Sequence, residues 1–168
     1  MKNSDLYLQL EETLLAFPET LGAFRPEELD LVPFEGSWTP GQVAEHMILA
    51  NSGFLELIRG ACMDTQRKPD EMVDGIRTTF LDFSTKMKSP DFVLPVKEVH
   101  EKRAQLDALA TIKQRVLEAV REEDLTKTCT SFSLPVLGYV TRLEAFNFVL
   151  YHTQRHIHQL KNIRRSLS

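Results

Sequence analysis

Two capping boxes fix where helices must begin in this chain, and the apolar stripes behind them fix how those helices must pack. In Trp38-Thr39-Pro40-Gly41-Gln42 the threonine is the N-cap, the proline fits the first helical position and Gln42 completes the box. Val43, Met47, Ala50, Phe54 and Leu57 then share one face as far as Gly60. Thr141 with Glu144 makes the second box, and the helix it opens continues without a proline. Two more stripes complete the set. Leu6, Leu10, Leu14 and Phe17 are capped by Ser4 and stopped by Pro18, whereas Leu106, Leu109, Ile112, Val116 and Val120 fade at Glu122-Glu123-Asp124. Amphipathic helices of this length gain most of their stability from packing, so four of them predict an all-α bundle.

The connections are less regular. From about residue 61 to 97 the chain is punctuated by Pro69, Gly75, Pro90 and Pro95, with one short helix predicted from Ile76, Phe80, Phe83 and Met87. Residues 131–137 alternate in part but contain Pro135 and lack an evident strand partner. With 168 residues, 42% of them hydrophobic and 26% charged, the chain fits one domain spanning 1–168. A net charge of −4 and a pI near 5.7 argue against binding a phosphate backbone. The basic cluster of Lys161, Arg164 and Arg165 instead complements the dipole of a helix end. The first residues lack the apolar run of a signal peptide, and no stretch approaches the ~20 apolar residues of a membrane span. A cytoplasmic protein with neither nucleic-acid nor membrane partners is therefore expected. Cys62 and Cys129, distant in sequence and without metal-binding spacing, are expected to be free thiols.

Three histidines carry the chemistry. His152 and His156 lie one turn apart, with Cβ atoms about 5–6 Å apart, so one divalent ion can bridge them. At about 100° per residue they share a face with Ala145, Phe148, Val149, Gln159 and Ile163, which points them into the bundle. Two inward imidazoles need several polar partners, because an unpaired buried polar group costs roughly 1–3 kcal/mol; a metal ion supplies the partner. The third ligand is open between His46, about 60° from the centre of its apolar stripe, and Glu144, two turns upstream of His152. Ala50 and Gly53 beneath His46, with Ala145, leave space for a pocket. His158 lies about 120° from His152 and reads as a surface or interface residue. His100 and Glu45 read as solvated, and Trp38 as packing at a helix entry.

Two segments resemble a known family. Gly36-Ser37-Trp38-Thr39-Pro40-Gly41-Gln42-Val43-Ala44-Glu45-His46 is similar to the tryptophan-to-histidine entry of the DinB-like (damage-inducible, YfiT-type) metal-dependent superfamily. His152-Thr153-Gln154-Arg155-His156 followed by Gln159 resembles that family's terminal His-x-x-x-His helix. The resemblance implies an up-down-down-up four-helix bundle and a divalent ion, nickel, zinc or manganese, on His46, His152 and His156; Gln159, one turn below His156, reads either as a hydrogen-bond partner of a ligand or metal-bound water or as an inward glutamine satisfied by backbone. It also implies an enzyme of hydrolase or low-molecular-weight-thiol transferase type acting on a small molecule. The alternative is a non-catalytic, metal-stabilised binding or stress-response module. Dimerisation through helix faces is implied as well, for which Phe146 and Leu150 offer an apolar stripe unless they form a buried layer of the bundle. Substrate specificity is expected to reside in 61–97.

Overall fold

The computed structural model describes residues 3–167. Its long helices are α1 (Asn3–Gly22), α2 (Pro40–Arg59), α4 (Lys102–Glu122) and α5 (Arg142–Leu167), with a short α3 (Val73–Leu81) between α2 and α4. Contacts at the helix ends define the directions. Lys102 Nζ, opening α4, donates to the carbonyls of Gly22 and Phe24 at the close of α1 (2.7 and 2.6 Å), so α1 and α4 are antiparallel. Gln105 reaches the Gly41 carbonyl at the start of α2, and Arg59 at its end pairs with Glu122 (3.0 Å), so α2 runs parallel to α4. Arg142 opens α5 by donating to the Ile58 carbonyl and pairing with Glu123, and Arg164 near its close donates to the Ala23 carbonyl. The topology is up-down-down-up.

Both capping boxes form as read. Thr39 and Gln42 exchange backbone-to-side-chain bonds of 3.2 and 3.0 Å, and Thr141 and Glu144 do so at 3.1 and 2.8 Å. Pro18, however, does not stop α1, which runs on to Gly22. Proline removes one donor, but Phe17 and Leu21 on either side are fully buried, and their burial outweighs one lost bond. Ser4 lies inside the helix rather than capping it. Phe83 and Met87 fall outside α3, because the Asp82 carboxylate takes the Ser84 amide and the Ser84 and Thr85 hydroxyls and folds the chain into a turn. Those bonds hold the Asp82 carboxyl down at about 2.

The apolar interior forms two blocks. One gathers Leu6, Leu10, Leu55, Val116, Phe146 and Leu150, the other Phe17, Leu21, Val43, Met47, Leu160 and Ile163. Phe146 and Leu150 are thus a buried layer of the bundle and leave no outward stripe. Along α5, His152 and His156 fall between the two blocks. A two-residue antiparallel pair, β1 (Cys62–Met63) with β2 (Thr128–Cys129), ties the exit of α2 to the entry of α5. It sets Cys62, exposed, opposite Cys129, buried, and both are free thiols. Residues 131–137 have no strand partner elsewhere among the described residues and turn back through the Leu134–Gly138 bridge. Among the described residues no helix is long and apolar enough to cross a membrane.

Candidate metal centre

Because α2 and α5 are antiparallel neighbours, His46 meets His152 and His156 inside the bundle. His152 Nε2 lies 3.2 Å from His46 Nε2 and 3.0 Å from His156 Nε2, and all three ligand atoms fall within 4.8 Å of one another. The outer nitrogens fix the tautomers. His46 Nδ1–H donates to the Val93 carbonyl (2.8 Å), and His156 Nδ1–H donates to Gln159 Oε1 (2.6 Å). Both rings, neutral, therefore turn a bare Nε2 lone pair inward. Of three converging nitrogens only that of His152 can carry a proton, and one proton cannot satisfy two lone pairs at once. A cation resolves the conflict: bonds of about 2.0–2.1 Å to three imidazoles set the nitrogens about 3–3.4 Å apart. The donor set fits a divalent ion.

Burial reinforces this. The three residues are 1%, 7% and 8% exposed, and desolvation pushes each imidazole below its ordinary value. His156 is driven to about 3 by desolvation and then by His46, partly offset by Gln159. His152 is held by packing rather than hydrogen bonding: Phe80 and Phe148 each stand 5.3 Å from its ring, and its Nδ1 has no partner. Glu144, the competing third ligand, is committed elsewhere. Its fully buried carboxylate accepts from both Arg67 terminal nitrogens (2.5 and 2.6 Å), the Met72 amide and the Thr141 amide.

Glu45 and His100 are not solvated; they form a buried strap behind His46. His100 bridges Asp30 Oδ1 (2.6 Å) and Glu45 Oε2 (2.9 Å), while Glu45 also accepts from the Val96 and Lys97 amides (3.1 and 3.2 Å). Burial opposes charge on Glu45, but His100 and the two amides together hold its carboxyl below the usual range. The strap pins the segment whose Val93 carbonyl orients His46. It also explains Gly41, where a Cβ would lie 2.5 Å from the His100 ring. On the other wall Arg155 donates to the carbonyls of Phe80, Asp82 and Thr85, fastening the end of α3 beside the site. His158, read as a surface or interface residue, stacks on Phe83 at 4.1 Å between centroids and lines the cleft above the histidines. Trp38 lines it as well, 5.0 Å from the His46 ring.

This fold and site define a class, a four-helix bundle with a three-histidine centre between its second and last long helices. The chain belongs to the DinB superfamily, whose family model matches residues 9–160. Among solved structures it is similar to YfiT from Bacillus subtilis, described as a probable metal-dependent hydrolase with an unusual four-helix bundle topology. The TM-score is 0.64 at 14% identity, covering 99% of this chain and 87% of that one. TT2238, described as a four-helix bundle protein, is similar at TM-score 0.58 and 22% identity, covering 96% and 99%. At those identities the likeness shows the fold. No curated protein matches the chain.

Two outcomes follow from this geometry. Replacing Glu45 with alanine frees the 93–97 segment, so urea unfolding should show a loss of about 1–3 kcal/mol and trypsin should cut sooner after Lys97; unchanged cleavage would remove the strap from the account. The second concerns pH. Unfolded histidines take up protons below about 6.5, whereas buried His152 and His156 resist protonation, His156 until about 3. The unfolded state therefore binds more protons in that window, and stability must fall with pH, by roughly 1 kcal/mol per pH unit for each fully shifted group. Melting of the metal-free protein between pH 7 and 5 should drop more steeply than that of a His152→Gln, His156→Gln variant.

Proposed function

We propose that the protein is a metal-dependent enzyme of the low-molecular-weight-thiol transferase or hydrolase type, with a divalent ion held by His46, His152 and His156. One observation carries the reading: the three nitrogens lie at the floor of an open cleft of about 1530 Å³ rather than in a closed shell. A structural site is closed by four protein ligands, whereas a catalytic one keeps a position free. A purely imidazole donor set suits zinc or nickel better than manganese, which favours carboxylate and water.

An ion at this position supplies Lewis acidity to a nucleophile and its electrophile. The protein's own residues do the rest. Val93 and Gln159 fix the rings of His46 and His156, and Phe80 and Phe148 wedge His152. Among the described lining residues the carboxylate is Glu56, ten positions and about 15 Å along α2 from His46. A thiol coordinated there would be held deprotonated outright, whereas a coordinated water would be brought only to about 7. Thiol addition or transfer is accordingly favoured over hydrolysis.

Elemental analysis of protein loaded with zinc or nickel should find about one ion per chain, lost in His152→Ala. The loaded protein, screened with small thiols plus aryl or alkyl electrophiles and in parallel with esters and amides, should turn over a thiol pair. His46→Ala should reduce that rate by more than the 10–100-fold typical of losing an outer partner. Stoichiometric metal, a large fall in melting temperature on chelation and no turnover would instead make this a metal-stabilised binding module.

A further inference from the structure

The cleft above the histidines is built for more than a small thiol. Its volume of about 1530 Å³ exceeds the roughly 300–1,000 Å³ of an ordinary small-molecule pocket. Of the ten phenylalanines in the chain, only Phe17, Phe24 and Phe146 stay out of it, and the single tryptophan, Trp38, is in its wall. The rings meet in two groups. Phe148 stacks on Phe54 at 4.3 Å and meets Phe80 edge-on at 4.5 Å near His152. At the mouth Phe92 and Phe132 meet at 5.7 Å while 60% and 47% exposed. Aromatic rings left in water beside an apolar trough mark a surface that a ligand covers.

Charge adds the second constraint. The chain carries −4 overall, yet the charged lining residues are Lys86, Lys88 and Arg155 against one carboxylate, Glu56. Arg155 spends its guanidinium on backbone carbonyls. Lys86 and Lys88 stand exposed on the segment after α3, with no carboxylate of the described residues within ion-pair distance. Cations without partners at the edge of an apolar trough, in an acidic protein, complement an anionic head on an apolar body.

We infer that the cleft binds an elongated amphiphilic carboxylate, an alkyl or aryl chain whose apolar body lies along the phenylalanine wall and whose anionic end meets Lys86 and Lys88. Its other end reaches the histidines, and only that placement as the reacting end rests on the function proposed above. Binding itself needs no ion.

The test uses 11-(dansylamino)undecanoate and its neutral methyl ester, titrated by fluorescence into the full chain with and without metal. One acid molecule should bind per chain, about three- to tenfold more tightly than the ester, the difference that one or two exposed charge pairs supply. Joint Lys86→Ala and Lys88→Ala substitution should erase that difference, as should 1 M salt. Phe92→Ser with Phe132→Ser, at exposed positions that leave the core intact, should weaken acid and ester alike. Equal binding of acid and ester by the wild type, or a preference that survives loss of both lysines in a protein of unchanged melting temperature, overturns the inference. The two proposals fail separately. A probe result as expected in protein that takes up no metal would sink the metal reading alone, whereas thiol turnover without acid preference would sink this one alone.

Discussion

Three imidazole nitrogens facing one another in the interior of the bundle are the constraint on which the rest of the structure turns. Their outer nitrogens are tied to Val93 and Gln159 or wedged between phenylalanines, so the lone pairs have nowhere to go but inward. Such an arrangement needs α2 and α5 to be neighbours in register, which the up-down-down-up order provides. It interrupts the apolar interior between its two blocks, and the ion it is suited to hold would join them across that interruption.

The irregular chain between α2 and α4 is organised around the same centre. One part, Val93 to His100, is fastened to α2 by Glu45 and to the α1–α2 link by Asp30, and it carries the carbonyl that orients His46. Another part, α3 and the turn at Asp82, is fastened to α5 by Arg155 and carries Phe80 against His152. Each fastening starts from a residue adjacent in sequence to a histidine of the centre, Glu45 beside His46 and Arg155 beside His156. The residues that shape the cleft and those that aim the histidines are therefore mechanically one unit, and a substitution in the loop should be felt at the nitrogens.

The helices, both capping boxes and the His152–His156 pair were legible because each is a local pattern whose physics acts within a few residues, whereas His46 was joined to the pair only by the family resemblance. What escaped was long-range. Glu45 lies off the apolar stripe of its helix and His100 in a charged run, and neither carries a sign that they are buried against each other 55 positions apart. Nothing in the spacing of Glu144 reveals that Arg67, 77 residues earlier, neutralises it and removes it from contention as a ligand. Pro18 and the pair Phe83 and Met87 misled in opposite ways: burial carried α1 through a proline, and the short-range grip of Asp82 ended α3 despite apolar spacing. A helical wheel placed His158 away from the metal face correctly, but could not show that the segment after α3 folds over it.

X-ray absorption at the metal edge of zinc-loaded protein tests the central claim most directly. Three imidazole nitrogens at about 2.0–2.1 Å, reduced to two in His46→Ala, are the predicted result. A sulfur scatterer at about 2.3 Å, or a spectrum that His46→Ala leaves unchanged, would contradict it.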